Sequence, residues 1–402
     1  MELYKYQEQS VRDLLNGKRI CLQGVGTGKT PVMMRWLRET GKPRVVIVTT
    51  ASKAKSGDME QEAETWNGKT WINKLKTFKV ISWHKFAKWV KAHESELQKY
   101  VLIADEVAKM NAGVSSGMGR AFLKFASLNG DWAGFTATPG DKWIKFYPYF
   151  QACGLIKNKS QFLRNYCNIQ TFKGFPEIVG YRGEKVLIAI WVNITTAPDT
   201  SAMEKEMPLE SHKVVNFDAP KKYHDVLIDR VSLDGDELDT SAALCAELRR
   251  MCFTKEKKQW VSDFIENLGT NCIFFCNYIE EEETVCEIAK KALPKGAKIW
   301  RIDGKHHDIP TAETIGKYDI VVAHYLSGGE ALNLQFMHYW CSVSPHYSYS
   351  TSEQSRGRIR RIGQKHFMRF YYLWAEKTIE DDIYACLKAK STFNEKIWAV
   401  QK

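Results

Sequence analysis

Three groups of residues in this chain have the types and spacing for work on a phosphoanhydride. The first is Gln23-Gly24-Val25-Gly26-Thr27-Gly28-Lys29-Thr30, three glycines closed by a Lys-Thr pair. Glycines let the backbone curl so that successive N–H groups point at one phosphate cluster, where side chains would block the approach. Lys29 then reaches the β- and γ-phosphates, and the Thr30 hydroxyl is placed to ligate Mg²⁺. The second group is the adjacent pair Asp105-Glu106. Neighbouring carboxylates divide labour: Asp105 holds Mg²⁺ through water, while Glu106 orients and deprotonates the attacking water. The third is Gln354-Ser355-Arg356-Gly357-Arg358-Ile359-Arg360-Arg361, the most basic segment of the chain. On a helix, Arg358 and Arg361 share one face with Gln354 a turn earlier, and both guanidinium groups reach one γ-phosphate. A solvated basic face or a plain nucleic-acid patch is the simpler reading of that spacing. The expected cofactors are ATP and Mg²⁺.

Each group needs an element to hold it. Ile20-Cys21-Leu22 is a short apolar run before the glycines, and a helical pattern follows them, so strand, tight loop and helix N-terminus come in the required order. Upstream, Leu3 to about Leu15 reads as a helix in which Gln7, beside Tyr4 and Tyr6, is placed to hydrogen-bond and stack on an adenine. Downstream, Val32 to Thr40 reads as a helix stopped by Gly41 and Pro43. Apolar runs at 45–48, 80–81, 100–104 and 132–136 lack alternation and are separated by helix-compatible stretches. That pattern means a parallel sheet covered on both faces. Asp105-Glu106 ends one of these strands, and ligands of open α/β sheets gather at the carboxyl ends of strands. Thr136 and Thr138 end another, where small hydroxyls suit a link from the acidic pair to a second site, and a Thr-rich turn before Pro139 is equally a routine loop.

The second half repeats the rhythm, with strands expected at 214–217, 272–276, 298–302, 319–323, 340–343 and 370–373, but it has no second phosphate loop. Thr195 to Glu210, with Pro198 and Pro208 and few large apolar residues, is the expected linker, giving domains at 1–205 and 206–402. The chain of 402 residues is long enough for two cores, and 44% hydrophobic with 26% charged residues is a globular balance. Ten cysteines show no CxxC and no paired Cys/His spacing, so they read as buried reduced thiols rather than zinc ligands. No apolar run approaches a membrane span and Met1-Glu2-Leu3-Tyr4-Lys5 opens no signal peptide, so the expectation is a cytosolic protein without a membrane partner. The net charge of +11 favours a polyanionic partner.

The order of these motifs resembles the superfamily-2 helicase/translocase core and, within it, the Swi/Snf-like ATPases. The family's first motif matches at Gly26 to Thr30, its acidic motif at Asp105-Glu106 and its third at Thr136-Ala137-Thr138. Its fifth, close to A-G-G-E-G-L-N-L, matches Ser327 to Leu334 with Ala331 in place of a glycine. Its sixth, Q-x-x-G-R-x-x-R followed by I-G-Q, matches Gln354, Gly357, Arg358, Arg361 and Ile362-Gly363-Gln364, and Thr378-Ile379-Glu380 follows as in the Swi/Snf-like branch. Gln7 is similar to the family's adenine-contacting glutamine.

The resemblance implies two RecA-like α/β domains, each a mostly parallel sheet flanked by helices, with ATP in an interdomain cleft. It implies ATP·Mg²⁺ on Gln7, Gly26, Thr27, Gly28, Lys29, Thr30 and Asp105, with Gly329 and Glu330 on the nucleotide side of the second domain. Glu106 would be the base, and Arg358 and Arg361 the arginine fingers. Double-stranded DNA would be gripped by its backbone through Thr49, Thr50, Ser82, Asn277, Tyr278, Ser327 and Gly328, with Thr136 and Thr138 coupling hydrolysis to movement. The acidic motif departs from the family's Asp-Glu-x-His, because Ala108 stands where the histidine would be. The long inserts of chromatin-remodelling members have no room here, which implies a bare motor of the compact bacterial or phage kind. Two rivals use the same residues: a strand-separating helicase, its wedge hidden in the aromatic stretch Trp143 to Phe150, and a nucleotide-switched binder with weak ATPase.

Overall fold

The computed structural model describes residues 2–128, 131–172, 175–328, 332–395 and 398–399. The chain divides into two compact units, Met1–Glu204 and Lys205–Lys402.

The first unit opens with helix α1 (Lys5–Leu15) and carries strands β1 (Ile20–Leu22), β2 (Arg44–Thr49), β3 (Thr77–Ser82), β4 (Val101–Asp105), β5 (Trp132–Thr136), β6 (Cys167–Phe172), β7 (Phe175–Tyr181) and β8 (Thr195–Thr196), with helix α2 (Lys29–Thr40) between β1 and β2. Six of the strands form one sheet in the order β3-β2-β4-β5-β1-β8, with every pairing parallel. Alternate residues serve opposite faces. Val46, Val48, Leu102 and Ala104 pack with Trp83, Phe122 and Trp132 on one side, while Val45, Ile47, Val101 and Ile103 pack with Trp36, Leu37 and Phe135 on the other. Burial on both faces is why these strands read as unbroken apolar runs.

The strand order positions the chemistry. β5 lies between β1 and β4, so the glycine loop and Asp105 emerge two strands apart, about 10 Å across the sheet, with Thr136 between them. A Cβ at Gly134 of β5 would meet Val107 Cγ2 at 2.9 Å and Ile20 Cδ1 at 3.1 Å, so the absent side chain lets the turn after Asp105 settle onto the sheet.

The second unit holds β9 (Glu210–Phe217), β10 (Cys272–Cys276), β11 (Ile299–Ile302), β12 (Ile320–His324), β13 (Tyr339–Ser342) and β14 (Met368–Ala375). Their order is β11-β12-β10-β13-β14-β9, again with parallel pairings throughout. Both units are RecA-like α/β layers among the described residues. β6 and β7 stand outside both sheets as an antiparallel hairpin.

Two expectations change. The stretch from Thr195 to Glu210 is not all connector: Thr195 and Thr196 are buried and pair with Ile20 and Cys21, residues 201–206 are helical, and Glu210 already begins β9. A β-branched pair fits the edge of β1, and the two prolines fall outside the strands. The Arg358–Arg361 pair does not lie on a helix, because the Tyr349–Arg356 helix ends at Gly357 and tight turns follow.

Candidate active site

The glycine loop is built as its composition requires. Gly26 (φ 80°) and Gly28 (φ 76°) are both left-handed, a conformation costly for any side chain, and Gly28 caps the start of α2. Helix α1 braces the loop from behind. Tyr6 Oη donates to Thr27 O at 2.6 Å and Gln7 Nε2 to Gly28 O at 3.0 Å, while the Tyr4 N–H donates to Gln7 Oε1 at 2.9 Å. Gln7 is buried, and both ends of its amide are engaged with the loop and the helix start. Thr27 is buried and its hydroxyl donates to Gly24 O at 2.9 Å, closing the curl from inside. Thr30 is half-buried on the first turn of α2.

Lys29 Nζ donates to Gln23 O and Gly24 O, both at 3.2 Å, and so follows the line of the loop. Burial pushes its ammonium pKa down, and the negative charges of Glu106 and Asp105 oppose that push. The strand order sets the acidic pair and the loop lysine on either side of β5.

Asp105 is 1% exposed at the end of β4. Its Oδ2 accepts from Thr49 Oγ1 at 2.7 Å and Lys53 Nζ at 2.9 Å, and its backbone carbonyl accepts from the buried Trp83 indole at 2.8 Å. Burial alone would raise the carboxyl pKa, but Lys53 and Thr49 outweigh it and hold the group below the usual carboxylate range. Oδ1 is buried with no hydrogen-bond partner among the described residues. An orphaned carboxylate oxygen with its twin pinned in place suits a hydrated divalent cation, so Asp105 fits the Mg²⁺ role. Glu106 sits at φ 52°, a left-handed backbone for a residue with a side chain. Strain of that kind costs about 1–3 kcal/mol and collects at functional positions.

Ala108 lies in the 3₁₀ turn Val107–Met110 that follows. Beyond the turn, Asn111 Nδ2 donates to Pro139 O at 2.6 Å, and Tyr149 Oη donates to the same oxygen at 3.1 Å. The buried Thr136 hydroxyl accepts from the Thr138 N–H at 3.2 Å. The acidic segment and the threonine strap are thus joined through Asn111.

The residues expected at a nucleic acid are mostly turned inward. Thr49 and Thr50 are buried, the former on Asp105 and the latter with its hydroxyl 3.1 Å from Ser52 Oγ, and Ser82 is buried at the start of the Trp83–Ala92 helix. Asn277 Nδ2 donates to Ser344 Oγ, Ser344 O and Pro345 O at 2.8–3.2 Å, and the Tyr278 ring lies under Arg249 and Arg250, each at 5.1 Å. Ser327 and Gly328 end the short helix Tyr325–Gly328, and Gly329 and Glu330 lie outside the described residues.

In the second unit, Arg358 and Arg361 converge although no helix aligns them. Each Nη1 donates to Leu332 O, at 3.4 and 2.9 Å, and Arg358 Nε donates to Gln354 O at 2.9 Å. Gln354 lies on the Tyr349–Arg356 helix. Their neighbours are spoken for. Arg360 pairs with Glu210 at 2.8 Å, and Arg356 with Glu353 at 2.6 Å. Gln364 is scaffold: its amide donates to Met337 O and Ile359 O, and its oxygen accepts from two backbone N–H groups. Glu380 is scaffold too, closed onto the buried Lys257 at 2.8 Å.

Sequence reasoning missed Tyr6, Lys53, Asn111 and Tyr149. Only Tyr6 carried a signal, as an aromatic next to Gln7 one helix before the loop.

No family model matches the chain, and no curated protein does. One solved structure similar to it is the Sulfolobus solfataricus SWI2/SNF2 ATPase core in complex with dsDNA, at 14% identity and a TM-score of 0.43, covering 97% of this chain and 91% of that one.

Proposed function

We propose that the chain is an ATP-driven nucleic-acid motor, most specifically a translocase on double-stranded DNA of the compact bacterial or phage kind. The observation that carries the ATPase part is the strand order, which brings the glycine loop with Lys29 and the Asp105-Glu106 pair to the carboxyl ends of strands two apart in one parallel sheet, with Asp105 Oδ1 buried and without a hydrogen-bond partner among the described residues. In this reading the loop N–H groups and Lys29 take the phosphates, with Gln7, Gly329 and Glu330 as further nucleotide contacts. Thr30 and the free oxygen of Asp105 would hold Mg²⁺, which supplies charge neutralisation on the phosphates. Glu106 draws the proton from the attacking water, with Gln354 as a further catalytic residue. Arg358, held by the Gln354 carbonyl, meets charge on the γ-phosphate together with Arg361, a contribution of about 10³–10⁵-fold for groups of this kind.

The polymer part rests on the net charge of +11 and on the motif order. Contacts to phosphates make binding independent of sequence and steeply salt-dependent. Because Thr49, Thr50 and Ser82 are buried, their share of such contacts falls to their backbone and to the lysines beside them.

The test is steady-state ATP hydrolysis, alone and with duplex DNA, single-stranded DNA or RNA, with Glu106→Gln as control. Stimulation by duplex that the variant loses supports the translocase. Turnover with no polymer dependence overturns the motor.

The β6–β7 hairpin favours a second reading, strand separation. Trp143 to Phe150 folds instead into a short turn and a largely buried helix, so in this reading the wedge would be the β6–β7 pair, which stands outside both sheets. Displacement of one strand from a forked duplex, lost when 168–180 is shortened, would select this reading.

A further inference from the structure

We propose that Lys53 is an internal counter-ion of Asp105 that nucleic-acid phosphate withdraws, so that polymer binding at the segment after β2 leaves the negative charge of the metal-facing carboxylate to be met by a divalent cation. The inference rests on the motor reading and extends it to how polymer and metal are coupled.

The two partners are unequal. Asp105 is sealed at 1% exposure, whereas the Lys53 side chain is 24% exposed and reaches in from the surface. Lys53 belongs to Thr50-Ala51-Ser52-Lys53-Ala54-Lys55-Ser56, a run of hydroxyl and basic residues with no acid before Asp58. Such composition suits a phosphate backbone, and a lysine on a flexible four-carbon stem exchanges one anion for another at small geometric cost. Thr49 and Lys53 share one oxygen, Oδ2, and leave Oδ1 without a partner among the described residues. The arrangement separates two jobs. Thr49, rigid at the strand end, fixes the direction of the carboxylate. Lys53 cancels its charge.

A cation 2.9 Å from Oδ2 opposes any second cation at Oδ1. When Lys53 turns to a polymer phosphate, Thr49 still holds Oδ2, the negative charge of the carboxylate is no longer offset by the lysine, and a divalent ion at Oδ1 takes over as the cation that keeps the buried group ionised. Polymer therefore tightens divalent-ion binding, and by linkage the divalent ion tightens polymer binding by the same factor.

The experiment reads metal affinity rather than turnover. The full chain with a non-hydrolysable ATP analogue is titrated with Mn²⁺ by electron paramagnetic resonance, with and without a short DNA duplex. In the unaltered protein the duplex should tighten Mn²⁺ at least about fivefold, the low end of ordinary coupling. In Lys53→Met, polymer-free affinity should rise to near the duplex-bound value, and duplex should add less than about twofold, since the coupling runs through that charge. Lys53→Arg, which keeps the charge, should retain the weak polymer-free state. Weaker Mn²⁺ binding in Lys53→Met, while Lys53→Arg binds normally, would make the lysine a simple brace and overturn the proposal. So would a duplex effect that survives in Lys53→Met. An unaltered protein that binds analogue and duplex without coupling them sinks the proposal and leaves the motor reading standing. One that binds no analogue sinks both.

Discussion

Among the described residues, two lysine–carboxylate pairs have a buried acid, one in each unit, and they are built to opposite ends. Lys257 and Glu380 are both fully buried. The ammonium reaches both carboxylate oxygens, at 3.1 and 2.8 Å, and Leu373 O at 3.4 Å, while the Ala375 N–H adds 2.7 Å to Oε2. Burial raises the Glu380 pKa and Lys257 opposes it, and both carboxylate oxygens are in use. Lys53 and Asp105 make the same chemical pair, yet one oxygen of Asp105 is unused and the lysine is partly in solvent. A closed pair fixes one arrangement of chain, here β14 against the Lys255–Leu268 and Ile379–Lys388 helices. An open pair keeps charge in reserve for something that arrives.

The comparison breaks if the open end carries the fold or the closed pair carries the chemistry. The largest effect expected is from Glu106→Gln, which should cut ATP turnover by about 10²–10⁴-fold, as for loss of a general base. Its urea midpoint should stay with that of the unaltered protein; a shifted midpoint would mean the acidic pair is structural. Lys257→Met should do the reverse. It leaves Glu380 buried and unpaired, at a cost of about 3–5 kcal/mol in urea unfolding, while nucleotide binding by the folded protein is kept. Pairing it with Glu380→Met should recover most of that loss, because replacing a buried ion pair by packed apolar groups is often neutral. Failure to recover would show that the pair does more than neutralise itself. Asn111→Ala is a smaller probe. Losing a single part-buried bond to Pro139 should cost about 0.5–1.5 kcal/mol of stability, and a polymer stimulation that is also reduced would mark Asn111 as the link between Glu106 and the threonine strap.

How much of this was legible follows from what each feature depends on. The glycine loop, the strand before it and the acidic pair rest on local residue types, and parallel strands buried on both faces announce themselves as unbroken apolar runs such as Val45-Val46-Ile47-Val48. The side-chain partnerships are another matter. Lys53 meets Asp105 and Asn111 meets Pro139 because the strand order folds distant segments to one sheet end, and no periodicity in the chain records that. Thr49 shows the limit from the other side. A threonine after a buried strand looks like a surface hydroxyl, but the register of β2 beside β4 turns it onto Asp105. The helix expected through Arg358 and Arg361 fails for a local reason, the stop at Gly357, and the two groups still converge because Leu332 O supplies a common acceptor. β6 and β7 escaped notice because their alternation is weak and a register shift falls between Asn168 and Ile169.

A third ion pair sharpens the contrast, because it lies at the rim and should matter least. Glu210, the first residue of β9, has His212 Nε2 3.2 Å from Oε1 and takes Arg360 Nε at 2.8 Å, with Arg356 further off at 3.9 Å. His212 first, then Arg360 and Arg356, bring its pKa from 4.5 to about 2. A depressed carboxyl pKa stabilises the fold above the unfolded value, and the contribution is lost as the pH falls from 4.5 toward 2. Glu210→Gln should therefore be flatter than the unaltered protein across that window in acid-unfolding curves. At neutral pH the difference should stay within about 1 kcal/mol, since the pair is partly solvated. Parallel curves would mean that the arginines do not depend on Glu210. The same variant also releases Arg360, while Arg356 stays on Glu353, so its duplex affinity at low salt should rise modestly. That rise separates the basic segment's general attraction for polyanions from the role in turnover proposed for Arg358 and Arg361, which the substitution should leave unchanged.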